Sequence, residues 1–138
     1  MGEVFLDAAY AIALSASSDG FHDKAEELAE RMEHDSTKLI TTRAVMLEIG
    51  NALGKQRYRA GAVALLEALE ADPNVEIVPL SEELFARAFQ LYRTRPDKEW
   101  GLIDCVSFMV MQERGITAAL TTDDHFRQMG FRVLLRES

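Results

Sequence analysis

Four separated stretches of the chain each set a carboxylate against an apolar background. Asp7 ends the run Val4-Phe5-Leu6. Glu48 lies inside TTRAVMLEIGNALGK. Asp104 lies in WGLIDCVSFMVM and is the only acid between Leu102 and Gln112. Asp123 and Asp124 follow the apolar AALTT segment. Taken singly, each has an ordinary reading. Glu48 could snorkel from the edge of a helix face. Asp104 could be a first-turn acid favoured by the helix dipole. Asp123 and Asp124 could belong to a turn, with Asp124 capping the next helix or facing solvent. Brought together, they would repel, and at least one pKa would rise unless a cation intervened. An oxygen-only set of this kind suits Mg²⁺ or Mn²⁺ rather than Zn²⁺. His22, His34 and His125 are scattered, Cys105 is the lone cysteine and HExxH is absent, so nothing argues for zinc.

The elements that must position these acids follow from the apolar pattern. Val4-Phe5-Leu6 reads as a strand buried on both faces. Further strands are expected at 38–41, 75–78, 118–121 and 132–135, with the first at 3–7. Helices are expected at 8–16, 21–34, 42–55, 58–71, from Ser81 to before Pro96, at 102–114 and at 125–129. Thr42 is placed to cap the third, and Val63, Leu66 and Leu69 are expected to face inward on the fourth. Gly115 should close the 102–114 helix, and Phe126 should plug the core. Strands separated by helices argue for a parallel α/β sheet with helices on both faces. In such sheets ligands bind beyond the carboxyl ends of the strands, where Asp7 and Asp123 stand.

Composition narrows the function. At 138 residues with a hydrophobic fraction of 48%, one domain over 1–138 is expected. The net charge of −8 argues against a broad basic face that grips nucleic acid by phosphate neutralisation alone. It leaves room for a nucleic-acid substrate approached through bound cations. Neither a secretory signal nor an apolar run long enough to span a bilayer is evident. With the lone Cys105, this fits a cytoplasmic protein without membrane attachment.

The segments EVFLDAAYAIAL, VMLEIGNAL, WGLIDCVSFMVMQERGI and ALTTDDHFRQMGF together resemble the PIN-domain family. The likeness is to the small VapC-like ribonucleases that form the toxin half of bacterial toxin–antitoxin pairs. It covers nearly the whole chain. It implies a PIN-like three-layer α/β/α fold with a mainly parallel central sheet of four to five strands. It implies Asp7, Glu48, Asp104 and Asp123 as catalytic, metal-binding acids. Asp123 is preferred to Asp124 because the family's acid stands three residues before a Phe, here Phe126. Thr121 and Thr122 match the family's hydroxyl position before that acid, and Asp124 stays a secondary candidate. Asn51, one turn past Glu48, is read either as a group that binds water or phosphate or as a buried amide. The implied activity is Mg²⁺- or Mn²⁺-dependent hydrolysis of RNA. The implied partners are RNA, a cognate antitoxin and a second copy of the chain. One position departs from the pattern: the family usually has Thr or Ser after its first Asp, and Ala8 and Ala9 stand here. That departure keeps open a second reading, a PIN-like binding module with weak or no catalysis. A phospho-acceptor receiver domain is a poor fit, because the middle strands end in Thr41-Thr42 and Pro79 rather than in an acceptor Asp.

Overall fold

The computed structural model describes residues 2–138. In chain order the elements are β1 (Glu3–Leu6), α1 (Ala8–Ser15), α2 (His22–His34), β2 (Lys38–Thr42), α3 (Arg43–Ala52), α4 (Gln56–Ala71), β3 (Val75–Val78), α5 (Glu82–Thr94), α6 (Leu102–Arg114), β4 (Ala118–Leu120), α7 (His125–Gln128) and β5 (Arg132–Val133), followed by a 3-10 turn at Leu134–Arg136. The five strands form one sheet in the order β3-β2-β1-β4-β5, and every pairing is parallel. β1 sits in the middle, and its Val4, Phe5 and Leu6 are buried, as the uninterrupted apolar run requires.

The strand order reverses beside β1. Connections from β1 to β3 run one way across the sheet, and those from β3 to β5 run back. Right-handed crossovers therefore put α1–α4 on one face and α5–α7 on the other. α1 packs on α2 and α3, α3 on α4, and α5 on α6. This is the three-layer architecture that the strand–helix alternation calls for. The reversal leaves a crevice at the carboxyl ends of β1 and β4, the general position for ligands in open α/β sheets.

Local chemistry fixes the element ends. The Thr42 hydroxyl accepts from the Val45 N–H at 3.1 Å and caps α3. The Ser81 hydroxyl accepts from the Leu84 N–H at 3.0 Å and caps α5. α6 stops at Gly115, whose φ of 66° is left-handed. Phe126 is fully buried and meets Phe108 edge-to-face at 5.0 Å. Trp100 is also core: it packs on Phe108 at 5.3 Å and donates Nε1–H to Gln128 Oε1 at 2.7 Å.

Several boundaries differ from expectation. α3 ends at Ala52 rather than near Lys55, ahead of Gly54, and α4 begins two residues early at Gln56. Val63 on α4 faces solvent at 47% exposure, because that helix buries only a narrow stripe through Ala62 and Leu69. Pairing of β5 stops at Val133, and Leu134 and Leu135 enter the core from the 3-10 turn instead.

Candidate metal centre

The carboxyl ends of β1 and β4 bring the first and last acids together. Strand register pairs Leu6 with Leu120, so the next residues, Asp7 and Thr121, lie side by side. The Asp7 N–H continues the ladder to the Leu120 carbonyl at 3.2 Å. The Thr121 hydroxyl donates to Asp7 Oδ2 at 2.7 Å and accepts from the Asp123 N–H at 3.0 Å. One hydroxyl thus fixes both the Asp7 carboxylate and the backbone that presents Asp123. On the other side of β1, the Thr41 hydroxyl donates to the Leu6 carbonyl at 2.8 Å and holds the strand end from β2.

Asp104 arrives from α6. Its Oδ2 accepts from the Gly101 N–H at 3.0 Å, the first-turn contact that its position suggested. The same side chain reaches the acidic cluster: His125 Nδ1 lies 3.6 Å from Asp104 Oδ2 and 3.2 Å from Asp123 Oδ1. Ligand atoms of Asp104, Asp123 and His125 all fall within 4.8 Å of one another. Asp123 Oδ1 also accepts from the His125 N–H at 2.8 Å, so Asp123 rather than Asp124 turns the chain into α7.

Glu48 on α3 lies within the field of these acids. Burial pushes Glu48 up to about 7, and the charges of Asp7, Asp104 and Asp123 push the same way. Asp7, only 7% exposed, is raised to about 6 by burial, against the lowering effect of the Thr121 hydroxyl and the Ala8 N–H. Asp104 and Asp123 add repulsion to Asp7. Asp104 is itself raised by burial and by Asp123, opposed by the Gly101 N–H and by His125. Four acids from α3, α6 and the two strand ends thus feel one another's field. Asp7, Glu48 and Asp104 resist ionisation, first through burial and then through the charges of the neighbouring acids.

The remaining candidates separate. Thr121 is in the site and fully buried. The Thr122 hydroxyl makes no bond to a carboxylate among the described residues; its carbonyl accepts from Arg136 Nε at 2.6 Å. Asp124 is exposed, 2.5 Å from Arg127 Nη1, and its side chain caps nothing. Asn51 is exposed, so the buried-amide reading fails. Ser107 returns its hydroxyl to the Ile103 carbonyl at 3.2 Å, and Cys105 is buried; both are packing residues. His125 was missed by reading the three histidines as scattered. Its signal was its place two residues after Asp123, within the same turn.

A divalent cation fits these residues. The donors are hard carboxylate oxygens, burial and mutual repulsion raise the pKa of Asp7 and Glu48, and among the described residues His125 Nδ1 is buried without a hydrogen-bond partner.

Comparison with known proteins agrees in fold and extent. The PIN domain family is matched over residues 4–132. The 23S rRNA-specific endonuclease VapC20 of Mycobacterium tuberculosis is 25% identical over 128 residues, covering 93% of this chain and 95% of that protein. The crystal structure of VapC20, described as a Sarcin-Ricin loop cleaving toxin, superposes with a TM-score of 0.80 at 24% identity, covering 93% of this chain and 95% of that one. VapBC2 from Rickettsia felis, solved bound to a DNA fragment from its promoter, contains a chain of the same fold: TM-score 0.70 at 11% identity over 95% of this chain and 96% of that one.

Proposed function

The chain belongs to the PIN domain family, and from that premise we propose that it is a divalent-metal-dependent endoribonuclease, the toxin of a toxin–antitoxin pair. What supports this reading is the acidic cluster at the strand-order reversal: Thr121 ties Asp7 to the Asp123 backbone, Asp104 and Asp123 gather about His125, and Glu48 feels the charge of all three acids. The likeness to a 23S rRNA-specific endonuclease supports RNA, with structured ribosomal RNA as the first substrate to try.

A bound Mg²⁺ or Mn²⁺ would supply charge for the scissile phosphate and acidify an attacking water. The protein's own part is placement. Asp7, Glu48, Asp104 and Asp123 would hold the ion. Thr121 keeps Asp7 in one orientation, and the Gly101 N–H does the same for Asp104. His125 stands between Asp104 and Asp123 and offsets part of their repulsion. No side-chain nucleophile is needed: Ser107 and Cys105 are committed to the core.

Without a metal, the pocket's charge would work against RNA. An antitoxin segment carrying a cation could occupy the same acidic place, which fits a toxin held silent by its partner. Pairing of two copies belongs to the same reading. Ribosomal RNA as substrate and the unpaired thiol of Cys105 both fit the cytoplasm, and among the described residues no helix is long and apolar enough to cross a membrane. The alternative of a catalytically silent binding module rested on Ala8 and Ala9. The Thr121–Asp7 bond orients the Asp7 carboxylate even so, and weighs for catalysis.

The test is cleavage of structured and unstructured RNA with Mn²⁺, Mg²⁺ or neither. Metal-dependent cleavage abolished by Asp7→Asn and Asp104→Asn is the expected result. Undiminished cleavage in both variants would remove these residues as ligands.

A further inference from the structure

The last residues of the chain return to the acidic site. The 3-10 turn buries Leu134 and Leu135 in the core and sets Arg136 beside the β4–α7 turn. Arg136 Nε donates to the Thr122 carbonyl at 2.6 Å, and the guanidinium covers the Phe21 ring at 5.5 Å. Thr122 lies between Thr121, which bonds Asp7, and Asp123. The bond and the ring together hold the guanidinium at the rim of the cluster. Its Nη groups bond to no protein atom among the described residues, and the side chain is 44% exposed.

Charge decides what those uncommitted donors suit. Arg132, four residues earlier, is spent: Glu137 takes it in two hydrogen bonds at 3.0 and 2.7 Å. Arg136 has no such partner. Among the described residues its one carboxylate within 4.0 Å is Asp124, which already accepts from Arg127 Nη1 at 2.5 Å. One acid thus stands between two guanidiniums, and a positive charge is left over beside a site that otherwise gathers acids. A guanidinium fork matches the oxygens of a phosphate. An RNA strand that brings a phosphodiester to the carboxyl ends of β1 and β4 must pass this rim, and the chain's charge of −8 repels it elsewhere.

We propose that Arg136 grips an RNA phosphate next to the scissile one, and that Arg127 leaves it free to do so by neutralising Asp124. The substrate is taken from the functional reading above; what is added is the residue that sets the strand across the site.

Fluorescence anisotropy of a labelled single-stranded RNA oligonucleotide tests it on the full chain, with Ca²⁺ in place of Mn²⁺ to slow cleavage. Arg136→Gln should weaken binding roughly tenfold, the cost of one charge-assisted hydrogen bond. It should also lower the slope of log affinity against log salt by about 0.7, one phosphate contact to a single strand. Arg136→Lys should keep the slope, and Asp124→Asn should tighten binding. Arg87→Gln removes an equal charge at the opposite end of α6 from Asp104, where Arg87 bonds Glu113, and should change neither quantity. Mn²⁺ affinity, read by calorimetry, should stay at the wild-type value in all four. Unchanged RNA affinity and slope in Arg136→Gln would overturn the proposal. So would a matching loss of Mn²⁺ affinity, which would make Arg136 a staple of the Thr121–Asp123 turn. A wild type that binds RNA through Arg136 and never cuts it would sink the nuclease reading and leave this contact standing, whereas a wild type without RNA affinity would sink both.

Discussion

The hydroxyl of Thr121 donates to the Asp7 carboxylate at 2.7 Å across the β1–β4 boundary, from residues 114 apart in sequence. Among the described residues it is the one side-chain hydrogen bond that steadies the most buried acid of the site. Its sign matters as well: it lowers the pKa of Asp7 against the stronger effect of burial.

Thr121→Val keeps the shape and removes the donor. Metal affinity should fall by roughly 10- to 100-fold, the usual cost of losing a group that orients a ligand. Titration calorimetry with Mn²⁺ checks this, and Thr121→Ser should recover most of the loss. An unchanged affinity for the Val variant would mean that Asp7 is held by burial alone.

The raised acids make metal-free stability depend on pH. Asp7 goes from 3.8 to about 6 and Glu48 from 4.5 to about 7 on folding. A raised carboxyl pKa means the folded state binds the extra proton. Stability is therefore greatest below pH 4 as far as these groups are concerned, and falls as pH rises towards 7. For Asp7 alone the span is of order 3 kcal/mol. Asp7→Asn should flatten this slope and be more stable than the wild type near neutrality, while losing metal binding. Urea unfolding in EDTA at pH 4, 5.5 and 7 reads it. A wild-type slope of the opposite sign would mean that the acids are not crowded.

Cation addition should reverse that loss. Mn²⁺ at about 100 times its dissociation constant would stabilise the folded chain by about 2.7 kcal/mol, seen as a higher melting temperature at pH 7. Asp7→Asn and Glu48→Gln should show little or none of this rise. Equal rises in all three proteins would place the ion elsewhere.

His125→Ala removes one of the two groups, with the Gly101 N–H, that lower the Asp104 pKa against burial. The acid limb of the pH–cleavage profile should then move to higher pH, with the fold intact because the side chain is part-exposed. A profile that keeps its position and only scales down would assign His125 to substrate contact instead.

Phe126 links core to site. It is fully buried three residues after Asp123. Phe126→Ala should cost about 3–5 kcal/mol by the usual scale for core aromatics. Phe126→Leu should cost less stability while still slowing cleavage, because Asp123 and His125 ride on the turn that Phe126 anchors. Thermal melts beside cleavage rates separate the two effects.

Periodicity and end signals were enough for the element order. The run Val4-Phe5-Leu6 could only be a strand covered on both faces, and Thr42, Ser81 and Gly115 mark helix ends by chemistry that is local in sequence. The acids, too, were visible as charges that interrupt apolar runs. What the local pattern left open was which acid of the Asp123–Asp124 pair turns inward. That depends on the path of the β4–α7 turn, where the Asp123 carboxylate binds the His125 N–H and Asp124 is left to Arg127. The partner of Asp7 was hidden, because it follows from the pairing of β1 with β4, a contact between distant parts of the chain, and the approach of His125 to Asp104 depends on how α6 packs beside that turn. Outer faces were hidden for a related reason. Val63 fits an inward pattern on an isolated helix, and only the packing of α4 decides how wide a stripe that helix can bury.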